Sequence, residues 1–252
     1  VSLLSRSELR VRVAPDRCEI GLWTTGLGQA PRRDAQASVQ GEGRKAMESA
    51  LVEIITAGKT LPRRARIELS DDSVFYALLN ADVPHEDALE DAEQFFTETL
   101  GLTDLDVEVA LAPGGRHWIA VAVQVSALDA WLEALDERNI EVLSVRPALL
   151  EDLRTVAPIV DRWTHVLAIV RDQGVMVLQL DEGRLVGLDW ERIDWHDATV
   201  VFERLNGWRT PGGDAAALLP TTREQHRALD TAGRDAGWDI LASLESLHEV
   251  AA

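Results

Sequence analysis

Apolar residues alternate with arginines at the start of the chain. Leu9, Val11 and Val13 are separated by Arg10 and Arg12, and Ile20 and Leu22 resume the alternation after the turn APDR. A period of two predicts half-buried strands on both sides of that turn, a β-hairpin over Leu9–Trp23. The period then lapses. TTGLGQAPRRDAQASVQGEG is polar and carries glycines, so it reads as a loop. Helical spacing takes over in RKAMESALVEIITAG, where Ala46, Met47, Ala50, Leu51, Ile54 and Ile55 recur three or four apart and Gly58 is the stop.

ARIELSDDSVFYALL reads as two extended segments around an Asp-Asp-Ser turn. VPHEDALEDAEQFFTETLG is a helix, with Pro84 and acids near its start and Gly101 past its end. DVEVAL and WIAVAVQV are strands about the turn APGG. SALDAWLEALDERN is a helix capped by Ser126, expected to pack on WIAVAVQV through Leu128, Trp131, Leu132 and Leu135. IEVLSVRP is a further buried strand.

The second half repeats this grammar. HVLAIV, GVMVLQL and RLVGLDW read as three sequential antiparallel strands around the turns RDQG and DEG, with Gly174 and Gly183 expected at positive φ. A helix near Ala198–Leu205, a loop NGWRTPGGD, a short strand AALLP, a helix TREQHRALDTAGRDAG and a last strand WDILAS follow. Each half opens on a hairpin and then alternates helix and strand, which predicts an α/β chain of two related lobes. The first lobe spans residues 1–150, with an inserted subdomain at about 62–125, and the second spans 151–252. The boundary falls between Pro147 and Pro158.

Composition narrows the function. Of the 252 residues, 46% are hydrophobic, enough for a sizeable core. Lys+Arg number 25 and Asp+Glu 43, a net charge of -18. Such a surface repels phosphate backbones and anionic headgroups, which argues against nucleic acid and membrane-surface binding and suits a basic protein partner. Cys18 is the only cysteine, so a disulfide framework or a cysteine zinc site within the chain is excluded and a reducing compartment is expected. No run of about 18 apolar residues is present, and no segment reads as a signal peptide. The chain begins at Val1, and a membrane anchor outside it stays open.

Chemistry-bearing motifs are few. AGKT at Ala57–Thr60 resembles the tail of a P-loop, but the glycine required five residues before Gly58 is Glu53, and the segment ends a helix where a P-loop begins one. DWHD, Asp194–Asp197, gathers one imidazole and two carboxylates without further ligands nearby, and reads as a surface turn with a helix cap. The acids after His85 suit a helix dipole, and Asp181-Glu182-Gly183 reads as a hairpin turn. No GxSxG, HExxH or CxxC occurs, so no catalytic, metal or cofactor residue is assigned. Trp118, Trp131, Trp163 and Trp190 lie in or beside apolar stretches and read as core. Trp208 and Trp238, beside glycines, are candidates for an exposed contact.

One longer pattern goes further. ARIELSDDSVFYALLNADVPHEDALEDAEQFFTETLGL gives strand, strand, proline and acidic amphipathic helix. HWIAVAVQVSALDAWLEALDERNIEVLSVRPALLEDLRTV gives strand, helix, a strand ending in Val-Arg-Pro, and another helix. This succession, from about Arg66 to Trp190, resembles the actin-like PilM family of type IV pilus assembly and the cytoplasmic domain of GspL of type II secretion; the first hairpin fits as well. The resemblance implies an actin/Hsp70-like (RNase H-like) two-lobed fold. In active members each lobe opens on a hairpin whose turn carries Asp, then Gly and small hydroxyl residues: glycine lets N–H groups approach phosphate, and the carboxylate orders the metal's water shell.

Here the first Asp position falls near Arg12 and the Gly at Ala14, while Pro15 lacks an N–H and Asp16 would repel phosphate. In the second lobe the Asp position falls at Ala168 or Ile169 and the hydroxyl run becomes RDQGV; a slipped alignment would bring Asp172 and Gly174 toward the loop. The resemblance therefore implies a non-catalytic cytoplasmic scaffold at the inner face of a bacterial inner membrane. Its partners would be an assembly ATPase or the cytoplasmic tail of a membrane platform protein, with no residue assignable to partner binding. The alternatives are a divergent actin-like nucleotide-binding ATPase and an unrelated acidic α/β protein.

Overall fold

The computed structural model describes residues 6–28, 30–80, 82–160, 164–209 and 215–251; Trp163 and the TPGGD part of the loop after Trp208 lie outside them. In chain order, β1 (Arg6–Ala14) and β2 (Arg17–Thr25) form the opening hairpin. β3 (Arg32–Gln40), α1 (Gly43–Thr56), β4 (Arg64–Leu69), a 3₁₀ turn (Asp71–Ser73) and β5 (Phe75–Asn80) follow. Next come α2 (His85–Leu100), β6 (Leu105–Leu111), β7 (His117–Gln124), α3 (Val125–Asp136), β8 (Glu141–Pro147) and α4 (Ala148–Val156). The remainder runs through β9 (Thr164–Val170), β10 (Val175–Asp181), β11 (Arg184–Glu191), α5 (Ala198–Asn206) and β12 (Ala215–Pro220). It ends with α6 (Arg223–Asp235), β13 (Asp239–Ile240) and α7 (Leu244–Ala251).

The chain divides into two compact units. One holds the residues up to Phe75, Leu100–Asp106 and Val121–Glu151; the other holds Tyr76–Thr99, Val107–Ala120 and the residues from Asp152 on. Each has a five-stranded sheet: β3-β2-β1-β4-β8 in the first and β11-β10-β9-β12-β13 in the second. The order and the polarities match. The strand that leads each hairpin sits in the middle, antiparallel to its hairpin partner and parallel to the strand on its other side. A third sheet has the order β5-β7-β6.

In the first unit the register pairs Leu9 with Leu22, Val11 with Ile20 and Val13 with Cys18, which gathers the apolar set on one face. α1 covers that face beside β2 and β3 with Ala46, Met47, Ala50, Leu51 and Ile54, while Ile55 is exposed. Gly58 follows at φ +76 and ends the helix. Burial pushes the Cys18 thiol up to about 12, with Glu19 adding to the rise, so this thiol is a core hydrophobe. The outward face of the same sheet is charged. β1 presents Arg6, Glu8, Arg10 and Arg12, opposite Trp23, Glu19 and Arg17 of β2. Arg33 of β3, then Arg64, Arg66 and Glu68 of β4, and Glu141 and Arg146 of β8 complete it.

Four local expectations are corrected. The segment read as a loop after Trp23 contains β3, an edge strand whose only buried residue is Ala37. Ala35, Ala37 and Val39 do alternate with polar residues and face Leu22, Ile20 and Cys18 of β2, but two of the three are alanines, too small to mark a strand inside a polar, glycine-flanked stretch. Helix α3 starts at Val125 with Gln124 at the cap position and no side-chain cap, so Ser126 is inside the helix. α3 packs on α1 and beside β8, where packing on β7 was expected; Trp131, Ala134 and Leu135 are its buried residues. The last strand, expected over WDILAS, is only Asp239–Ile240, and α7 was not anticipated.

In the second unit β9 and β10 are buried on both faces: Leu167, Ala168, Ile169, Val175, Met176, Val177 and Leu178 are all 0–1% exposed. Val166, Ala168, Val170, Val175 and Val177 join Phe202 and Leu205 of α5, Leu229 of α6, and Trp238 in one core. The three strands are sequential and antiparallel as expected. Glu182 (φ 50) and Gly183 (φ 77) are both left-handed, which makes the β10–β11 link a two-residue turn of the primed type whose twist suits a hairpin. Gly174 does not have the expected positive φ. A Cβ there would instead collide with Glu191 O and stand 2.7 Å from Trp190 Cζ2, so close packing fixes this glycine. Gly183→Val should cost about 1–3 kcal/mol in urea unfolding through backbone strain. An unchanged midpoint would contradict the turn assignment.

Candidate functional site

The two turns that hold phosphate in active actin-like proteins are the places to test for chemistry. In the first, Ala14 pairs with Arg17 and leaves Pro15 and Asp16 at the tip. Neither has positive φ. Successive N–H groups converge on an anion when right- and left-handed residues alternate, and this turn lacks that alternation. Carbonyls at and beside the turn bind other segments: Asp16 O accepts from Gly41 N at 2.7 Å, and Val13 O from Ser70 N at 2.9 Å. Arg12, at the expected Asp position, lies on the outward face 3.3 Å from Glu68.

The second turn, Arg171–Gly174, is closed by Arg171 N donating to Gly174 O at 2.8 Å. Its first side chain turns inward. The Arg171 guanidinium is buried and lies 2.5 Å from Asp152 of α4, itself buried. Ala168 and Ile169, the alternative Asp positions, are fully buried apolar residues. The Gly174 hydrogen faces Glu191 O and the Trp190 ring, so this glycine offers no open approach on that side. Beside the turn, Thr221 Oγ1 donates to Val170 O. The start of α6 is closed by a capping box: Thr222 Oγ1 accepts from Gln225 N at 3.2 Å, and Gln225 Oε1 accepts from Thr222 N at 3.1 Å and Thr221 N at 2.8 Å. Gln225 N and the two N–H groups that precede the helix are therefore already bound, and Arg223 N donates to Glu245 Oε2 at 3.2 Å.

The other candidates separate. Gly58 ends α1, and Lys59 and Thr60 are exposed beyond it, so AGKT does not open a helix. In DWHD, Asp194 Oδ1 meets His196 Nδ1 at 2.8 Å, and this hydrogen bond holds the Asp194 carboxyl below its usual range. Asp197 instead caps α5 by accepting from Val200 N. Among the described residues no group of three His, Cys, Asp or Glu could hold a metal. His85 stands edge-on to Trp118, whose Nε1 donates to Val83 O at 3.2 Å. Trp131 is buried; Trp118 and Trp190 are half-buried.

The exposed-contact reading of two tryptophans is corrected. Trp238 is 3% exposed and donates to Asn206 Oδ1, and Trp208 is half-buried and donates to Glu191 Oε1 at 2.9 Å. The neighbouring glycines mark helix ends that let the indoles turn inward. Besides Asp152, a second buried carboxylate escaped the sequence reading: Asp71 Oδ1 accepts from Leu149 N at 3.3 Å, at the start of α4. The Asp-Asp-Ser turn was its only signal.

No family model matches the sequence, and no curated protein does. Solved structures match along most of the chain. A PilM–PilN type IV pilus biogenesis complex is 12% identical, covering 96% of this chain and 94% of that one, with a TM-score of 0.66. A Bacteroides thetaiotaomicron protein of actin-like ATPase fold is 9% identical, covering 98% and 96%, at 0.63. The cytoplasmic domain of EpsL, an inner membrane component of the type II secretion system of Vibrio cholerae, is 15% identical, covering 86% and 82%, at 0.55. The fold is that of the actin-like ATPases, and the likeness to PilM and to the type II secretion protein, expected from the sequence, is present in the fold.

The second turn can be tested by its ion pair. Removing one buried partner leaves the other charge uncompensated, so Arg171→Ala or Asp152→Ala should each destabilise by about 3–5 kcal/mol, and Arg171→Met with Asp152→Leu by less than either. A double variant worse than both singles, read from urea midpoints, would contradict the pairing.

Proposed function

We propose that this chain is a non-catalytic scaffold of the PilM and GspL kind. It would link an assembly ATPase to the inner-membrane platform of a type IV pilus or a type II secretion system, on the cytoplasmic side. The observation that carries this reading is the build of the two hairpin turns within an actin-like fold. One has proline and aspartate at its tip with no left-handed residue; the other buries an arginine against an aspartate. Pro15 offers no N–H, Asp16 adds a like charge, and Ala14 stands where glycine would be wanted. In the second turn Ala168 and Ile169 leave no carboxylate to order metal-bound water.

Two of the similar structures support the role by precedent. One is a complex of PilM with PilN, and the other is the cytoplasmic domain of a secretion-system component of the inner membrane. No helix among the described residues is long and apolar enough to cross a membrane, so attachment through protein contacts fits this portion of the chain.

The direct test is a pull-down of the organism's assembly ATPase and of the cytoplasmic tails of its platform proteins. Retention of at least one is expected; retention of none would refute the linking role. The non-catalytic half of the reading is tested by calorimetry with Mg-ATP, for which no dissociation constant tighter than about 1 mM, near -4 kcal/mol, is expected. A micromolar constant would favour the alternative, a divergent nucleotide-binding ATPase that uses Asp172 and Gly174.

A further inference from the structure

The first unit's sheet carries helix α1 on its apolar face, and its outward face is solvent-accessible. That face has a charge opposite to the rest of the molecule. It presents eight arginines against four glutamates, in a chain whose net charge is -18. At its margin Arg146 is paired with Glu151 of α4 at 3.3 Å. A third of the chain's basic residues therefore gather on one face of one sheet.

The centre of this face is organised. Glu8 accepts from Arg10 Nε at 3.2 Å and from Arg66 Nε at 3.3 Å, so one carboxylate on β1 holds two guanidiniums on adjacent strands. A guanidinium held at Nε keeps further N–H donors on its η nitrogens for a second acceptor. Both remain accessible, Arg10 at 47% and Arg66 at 48% of the side chain, while the buttressing Glu8 is at 24%. Beside them Trp23 lies across Gly21: a Cβ at Gly21 would stand 2.7 Å from Trp23 Nε1. Arg10 sits 4.5 Å from the indole centroid and Arg33 5.9 Å. No described residue accepts from Trp23 Nε1.

We propose that this face docks an acidic segment of a partner protein. Its carboxylates would be taken by Arg10 and Arg66, and an apolar side chain would lie on Trp23. Arginine presents a planar fork that matches a carboxylate, and the indole supplies apolar area with a donor at its edge. The choice of a protein segment follows from the charge pattern. Four glutamates interleave with the arginines, and an extended polyanion such as a bilayer or a duplex would meet both them and the acidic remainder of the chain. A short acidic segment can align its charges with the guanidiniums alone. The proposal deepens the scaffold reading and rests on it; the pull-down and the titration below fail independently.

The test is fluorescence anisotropy of the full chain with a labelled peptide of alternating glutamate and leucine. A lysine–leucine counterpart, phosphatidylglycerol vesicles and a short DNA duplex are the other arms. The acidic peptide should bind, and weaken at least about tenfold between about 50 and 500 mM NaCl. Arg10→Glu with Arg66→Glu should weaken it about tenfold or more, and Trp23→Ala about three- to tenfold. Arg10→Lys with Arg66→Lys keeps the charge and the fold, loses the fork, and should fall between these and the wild type. Reversal of an exposed arginine on the other unit, Arg227→Glu, should change binding little. Equal binding of the basic peptide, binding of vesicles or DNA alone, or binding indifferent to Arg10 and Arg66 would overturn the proposal.

Discussion

Both large sheets depend on a central strand that is paired on both edges. β1 and β9 each lead a hairpin, donate and accept antiparallel bonds on one side, and take a parallel strand, β4 or β12, on the other. With the backbone saturated on both edges, the side chains alone decide which faces are covered. β9 is apolar at successive positions and is buried on both faces. β1 alternates, so the same topology leaves one face of the first sheet charged and open. Two amphipathic patterns on one strand order thus produce a filled core in one unit and a surface available to partners in the other.

Elements that bury a regular face were legible in the sequence. The opening hairpin, α1, the three strands of β9–β11 and the two helices after them follow from period two or three-to-four spacing. Elements that bury little were not. β3 fully buries only Ala37, and its alternation of Ala35, Ala37 and Val39 is carried mostly by small side chains; β13 is two residues long and leaves no periodic trace. Caps and glycines failed where the chemistry was right and the position was wrong. Ser126 is a good cap residue one step inside the helix, and Gly174 is required by a neighbouring strand rather than by its own φ. That distinction needs the tertiary neighbour, which no local pattern contains.

The candidate site divides in the same way. The unusual composition of the first turn, with Pro15 and Asp16, was visible directly. The inward turn of Arg171 onto Asp152 was not, because the two residues are 19 positions apart and belong to different elements. The arginines between the apolar residues of β1 were visible as well, but only as the solvent side of a strand. Register is what brings Arg10 beside Arg66 and opposite Gly21, the residue Trp23 lies across. A face of this kind is a property of the assembled sheet.

The proposed scaffold reading has one defining physical consequence: the two hairpin turns should not respond to nucleotide. Hydrogen–deuterium exchange of the full chain, with and without about 0.1 mM Mg-ATP, reads this directly; at that concentration a turn of micromolar affinity would be mostly occupied and one weaker than about 1 mM would be nearly empty. The account predicts unchanged exchange in peptides spanning Ala14–Arg17 and Arg171–Val175. Slowed exchange in either turn would contradict it.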